Sequence, residues 1–97
     1  MKEETRTIHR YVFEEWLIKS MGLSFLSRNK IEEAIGIFKL NSQLYPESWD
    51  VYYNLAEAYM KNDNKEMAIK NYQKALELNP DERNMKRILN ELKNENN

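Results

Sequence analysis

The chain of 97 residues contains no cysteine, which excludes a disulfide framework and any thiolate metal site. It has only two glycines and two prolines, too few for the many tight turns of an all-β fold. Its one histidine, His9, cannot build a multi-histidine metal site within one chain, and beside Arg10 and Tyr11 it reads as an exposed helix residue. No apolar run approaches the roughly 20 residues that a membrane-crossing helix needs. The first residues, Met1-Lys2-Glu3-Glu4-Thr5, lack the basic start and apolar core of a secretory leader, so a reduced, cytoplasmic setting is the expectation. Neither sign of charge dominates: 15 Lys and Arg stand against 16 Asp and Glu, a net of −1. Nucleic acid and anionic membrane are therefore not expected as partners.

Chemistry-bearing constellations are missing as well. No Gly-rich loop is present to cradle phosphate, and no serine or threonine has a base beside it. The pairs Glu14-Glu15, Glu32-Glu33 and Asp81-Glu82 are adjacent residues, which point about 100° apart on a helix, and they suit dipole and solvation roles better than acid–base work. No cofactor and no catalysis are expected of this chain.

What is present is helical periodicity. Ile8, Tyr11, Ile18 and Phe25 share one face of a helix read from about Thr7 to Ser27. Gly22 interrupts it at an intrinsic cost of about 1 kcal/mol, which points to close approach of a neighbouring helix. Asn29 tolerates the left-handed conformation that ends helices. A second helix follows from about Ile31 to Tyr45, with Glu32 and Glu33 in its first turn and Ala34, Ile35, Phe38 and Asn41 facing inward. Pro46 stops it, and Ser48 is placed to cap a third, Trp49 to Lys61. Asn62-Asp63-Asn64 turns the chain into a fourth helix, Lys65 to Leu78, closed by Pro80. Asp81 is placed to cap a fifth, whose Met85, Ile88, Leu89 and Leu92 form a narrow apolar stripe, with fraying expected from Lys93.

The pairs Gly22/Ala56, Phe25/Tyr59, Ala34/Ala68, Phe38/Tyr72 and Pro46/Pro80 are each separated by 34 positions. Small matches small, ring matches ring and proline matches proline. The second unit reads Tyr52-x2-Leu55-Ala56-x2-Tyr59, Ala68-x3-Tyr72, Pro80, and the first reads Ile18-x2-Met21-Gly22-x2-Phe25, Ala34-x3-Phe38, Pro46. This resembles the tetratricopeptide repeat (TPR) pattern, with Ile18 and Tyr52 standing where tryptophan is usual and Asn41 where alanine is usual. An amide at Asn41 needs a hydrogen-bond partner or an exit to water.

The resemblance implies an all-α solenoid of about five helices in a single domain over residues 1–97. An N-terminal helical extension would occupy 1–14, the repeats 15–48 and 49–82, and a capping helix 83–97. It further implies a concave groove lined by the first helix of each repeat. The groove positions fall on Trp16, Lys19, Ser20, Leu23, Leu26 and Ser27, then Asp50, Tyr53, Asn54, Glu57, Met60 and Lys61, with Arg87 and Glu91 at its end. Trp16, Lys19, Leu23, Tyr53, Asn54, Glu57, Met60, Lys61 and Arg87 are the candidate peptide-binding residues, with Tyr53, Asn54 and Glu57 expected to be exposed. The implied function is a non-enzymatic module holding a peptide or helix of a partner protein, unless the extension or the last helix covers the strip. Of a Lys/Asn clamp for acidic C-terminal tails, only Lys19 and Asn54 match; Leu23 departs, and Lys86 and Arg87 fall out of register. Two further readings belong to other classes. The sequence is similar to TPR segments at the C-terminus of some bacterial hydrolases of the β-lactamase-like type. Alternatively, Val12, Phe13 and Trp16, which the first repeat does not need, would be buried by a homodimer.

Overall fold

The computed structural model describes the backbone of residues 2–95 and the side chains of residues 10 and 12–94. The described residues form five helices and no strand: α1 Lys2–Ser27, α2 Ile31–Leu44, α3 Trp49–Lys61, α4 Lys65–Leu78 and α5 Arg83–Glu95. Each packs on the next, joined by short connections, and α1 also touches α3. The molecule is a slab of 53 × 31 × 17 Å.

The helices match the sequence reading with local corrections. α1 begins at Lys2 rather than Thr7, because nothing in residues 2–6 opposes a helix already running; α1 thus absorbs the expected extension. α2 ends at Leu44, with Tyr45 as its cap. α5 continues to Glu95, past Lys93 where fraying was expected. Ser48 occupies the cap position of α3 but makes no side-chain cap bond; its hydroxyl donates instead to Glu15 Oε2 at 2.9 Å. At α5 the acceptor for the first-turn N–H of Asn84 is Glu82 Oε1, at 3.0 Å, one residue beyond the expected Asp81. The side chains of Ile8, His9 and Tyr11 lie outside the described residues.

The two turns within the repeats are copies of each other. Asn29 and Asp63 take left-handed φ values of 62° and 58°. Behind them, Lys30 N–H donates to Phe25 O and Asn64 N–H to Tyr59 O, both at 2.9 Å, while Asn29 and Asp63 donate to Leu26 and Met60 carbonyls. Each turn therefore satisfies two orphan carbonyls by the same paired bonds. Only the second adds a side-chain cap, Asn64 Oδ1 accepting from Met67 N–H at 3.2 Å, since Lys30 stands at the equivalent place.

The core is made of rings laid against small residues. Ala34, Phe38, Ala56, Ala68, Tyr72 and Ala75 are all buried. Met85, Leu89 and Leu92 bury the stripe of α5, which packs on α4 and leaves Ile88 half-buried. Asn41 is fully buried: its Nδ2 donates to the Glu15 carbonyl at 3.3 Å, and its Oδ1 has no partner.

Gly22 shows how tight the first pair is. A β-carbon there would lie within 2.7 Å of Phe38 ring carbons, whereas one on Gly36 would meet nothing within 4 Å. The two glycines should therefore respond to alanine with opposite signs. Gly22→Ala forces the buried ring aside, and should lower stability by about 1–3 kcal/mol despite the better helix propensity. Gly36→Ala should raise it by about 0.5–1 kcal/mol. Urea unfolding followed by circular dichroism reads both.

Candidate functional site

The packing that points Gly22 at α2 turns Leu23 and Leu26 toward α3. The 34-residue register brings Tyr53, Asn54, Glu57, Met60 and Lys61 to meet them. These seven residues line an open cleft of about 550 Å³ between α1 and α3. Of the candidate peptide-binding residues, Leu23, Tyr53, Asn54, Glu57, Met60 and Lys61 thus come together, joined by Leu26. Trp16, Lys19 and Arg87 stand outside the lining. Trp16 is exposed and lies against Phe13, ring centroids 6.1 Å apart. Lys19 is held by Asp50, Nζ to Oδ2 2.7 Å, and exposed Arg87 pairs with Glu91 at 3.1 Å.

The expected exposure of Tyr53, Asn54 and Glu57 is corrected by the structure. Tyr53 and Glu57 are half-buried and Asn54 is buried, because α4 rises behind α3 and presses Tyr72 against this face. Tyr53 sits edge-on between two rings, with Trp49 at 6.1 Å and Tyr72 at 5.9 Å. The Tyr72 hydroxyl donates to Glu57 Oε2 at 2.5 Å. Asn54 Nδ2 is buried without a hydrogen-bond partner, a donor left unsatisfied beside the cleft. Such a group costs roughly 1–3 kcal/mol until something accepts from it.

The surroundings of Tyr53 are acidic. Its phenol is pushed above the usual tyrosine range, first by burial and then by the carboxylates of Glu57, Glu82 and Asp50. Tyr72 is pushed up much further, by burial first, then by its hydrogen bond to Glu57 and that residue's charge. The described residues hold no group of three or more His, Cys, Asp or Glu able to hold a metal ion. Among them no helix is long and apolar enough to cross a membrane.

The Tyr72–Glu57 bond was not foreseen, yet a signal for it exists in the repeat itself. In the first unit the equivalents of Tyr72 and Glu57 are Phe38 and Leu23. Both members change together: a ring without a hydroxyl goes with leucine, and a ring with one goes with a carboxylate. The acidic pair Glu14-Glu15 likewise acquires partners, Glu14 accepting from the Tyr45 hydroxyl at 3.0 Å and Glu15 from Ser48.

The raised Tyr72 pKa gives a pH prediction. The unfolded phenol ionises near pH 10 while the folded one stays protonated, so the folded state binds more protons above that pH. Stability should hold below pH 10 and fall above it, by up to about 1.4 kcal/mol per pH unit from this group. Tyr72→Phe should flatten that alkaline slope, measured as urea midpoints at stepped pH, at the cost of the Glu57 bond at neutral pH.

The sequence pattern of the tetratricopeptide repeat family matches residues 49–82. No curated protein matches the chain. Among solved structures, the chain is similar to the first TPR of Spaghetti (RPAP3) bound to the HSP90 peptide SRMEEVD. The TM-score is 0.50 and the identity 18%, covering 82% of this chain and 90% of that one. Residues 49–82 thus carry the tetratricopeptide-repeat pattern, and over 82% of its length the chain shares the all-α fold of a solved TPR domain.

Proposed function

We propose that the α1–α3 cleft holds a short segment of a partner protein, and that the chain acts by binding rather than catalysis. The observation that carries this reading is the open cleft that α1 and α3 build together. Its seven lining residues combine apolar side chains with the Tyr53 phenol, the Glu57 carboxylate and the Lys61 amine, a mix that a short peptide segment can meet. Leu23, Leu26 and Met60 offer an apolar floor for one or two side chains of that segment. The similar RPAP3 domain was solved with a peptide, which supports a peptide as the kind of ligand.

The charge pattern argues for a different peptide chemistry here. Lys19 is committed to Asp50 and Arg87 to Glu91, so Lys61 is the one cation in the cleft lining. Glu57 is in the lining, and Glu82 and Asp50 act on Tyr53 beside it. An apolar segment carrying a lysine or arginine suits this cleft better than an acidic tail. Membership of a longer hydrolase, the other reading of the sequence, would leave the cleft the same task within a larger chain.

Two labelled heptapeptides test this by fluorescence anisotropy: SRMEEVD, and the same peptide with its acidic residues replaced by lysine. The lysine version should bind saturably, and Leu23→Ala with Tyr53→Ala should weaken it about 10-fold or more. Tighter binding of SRMEEVD would overturn the assigned chemistry but not the cleft. Binding of either peptide unaffected by the double substitution would overturn the cleft itself.

A further inference from the structure

One end of the helical stack is closed and the other is open. At the closed end, the α5 stripe of Met85, Leu89 and Leu92 is buried on the side of α4. At the open end, α1 has no preceding helix against it among the described residues. The repeat register states what such a helix would cover. In α3, Ala56 and Tyr59 occupy the places that Gly22 and Phe25 hold in α1, facing the second helix of their own unit. The neighbouring face of α3 carries Val51, Leu55 and Ala58, all buried, and α2 packs on α3.

Moving those three positions back by 34 gives Leu17, Met21 and Ser24. Here the same face is bare: Leu17 is 45% and Met21 47% exposed, and Ser24 is exposed. Phe13 extends the stripe one turn further at 58%, and Leu44 of α2 adds to it at 53%. Two shallow hollows mark this face, one bordered by Leu17, Ile18, Leu44, Tyr45 and Glu14, the other by Leu17, Met21, Ser24 and their neighbours.

We infer that this face is a dimer interface, occupied by α1 of a second copy related by a two-fold axis near Leu17. Three features select a second copy in this arrangement. First, a copy cannot stack head to tail, because α5 already covers the opposite end; the matching apolar end it can offer is the same one, which makes the contact isologous. Second, the size fits. The open parts of Phe13, Trp16, Leu17, Met21 and Leu44 amount to on the order of 500 Å², most of the roughly 800 Å² per partner of a standard interface. Third, antiparallel α1 helices crossing at Leu17 set Phe13 of each copy over Met21 and the small Ser20 and Ser24 of the other. Arg10 and Glu14, paired at 3.8 Å within one helix, then face serines rather than their own copies, so no like charges meet.

The inference is independent of the cleft, which opens on another face of α1. Its test uses the absence of cysteine. Leu17→Cys introduces a single thiol at the axis, and Lys61→Cys, exposed at the cleft edge, is the control. Under mild oxidation Leu17→Cys should form a disulfide-linked dimer at least about 10-fold faster than the control. By light scattering during gel filtration the unmodified chain should be a dimer. Leu17→Glu with Met21→Glu should be a monomer with an unchanged helical spectrum and unchanged heptapeptide binding. A monomeric unmodified chain at high concentration, or equal cross-linking at both thiols, overturns the inference.

Discussion

How near α1 and α2 can approach is set by one missing methyl group. The Phe38 ring occupies the space that a side chain at residue 22 would fill, so the two helices meet through a ring laid on bare backbone. In the second unit Ala56 and Tyr72, both buried, hold the same relation in sequence, with a slightly larger small residue and a slightly larger ring. Once this contact fixes the rotation of α1 and α3 about their own axes, their other faces have no freedom left. One looks at the neighbouring repeat, and another looks into the cleft. Small residues thus govern function here through orientation rather than through contact with any ligand.

Because the two units share a frame, their differences carry the chemistry. Leu23 and Leu26 make the first half of the cleft apolar, while Glu57 bonded to Tyr72 sets a fixed carboxylate in the second half. The carboxylate is held by a hydroxyl that burial and its own proximity keep protonated. It is therefore pre-positioned rather than waving in solvent, which lowers the ordering cost of any cation that meets it. Asn54 works differently: its donor is buried without an acceptor, so the folded protein carries a cost beside the cleft.

The order of the helices, the repeat and most of the core are legible in the sequence because each rests on spacing along one chain. α3 and α4 match residue for residue, and so do the buried positions of α2. What was not legible depends on where a flexible side chain ends up. Ser48 was read as a cap because caps are local, but Glu15 lies within reach across the fold and competes for its hydroxyl. Lys19 stands at a groove position by the repeat register, and Asp50, 31 positions away, pairs with it. Asn54 was read as exposed because helix position alone does not report how far a neighbouring helix rises beside it. The misreadings share a cause: a polar group's partner is chosen by three-dimensional proximity, which periodicity does not encode.

Three long-range polar contacts gather at one turn of α1. Asn41 reaches the Glu15 carbonyl, Ser48 the Glu15 carboxylate and Tyr45 the Glu14 carboxylate. Beyond Glu14 the helix continues toward Lys2. Apolar packing cannot hold a helix at that point, because no helix among the described residues lies beyond it to pack against. Hydrogen bonds can, since they need only reach the flank. A buried Asn41 with one unsatisfied oxygen would cost stability in an ordinary core. Here it replaces the alanine found at the equivalent Ala75 and secures the helix at Glu15. Bonds at Glu14 and Glu15 hold the turn between Phe13 and Leu17 to α2 and the chain after it, and a stripe ordered in advance is what a second helix needs in order to dock.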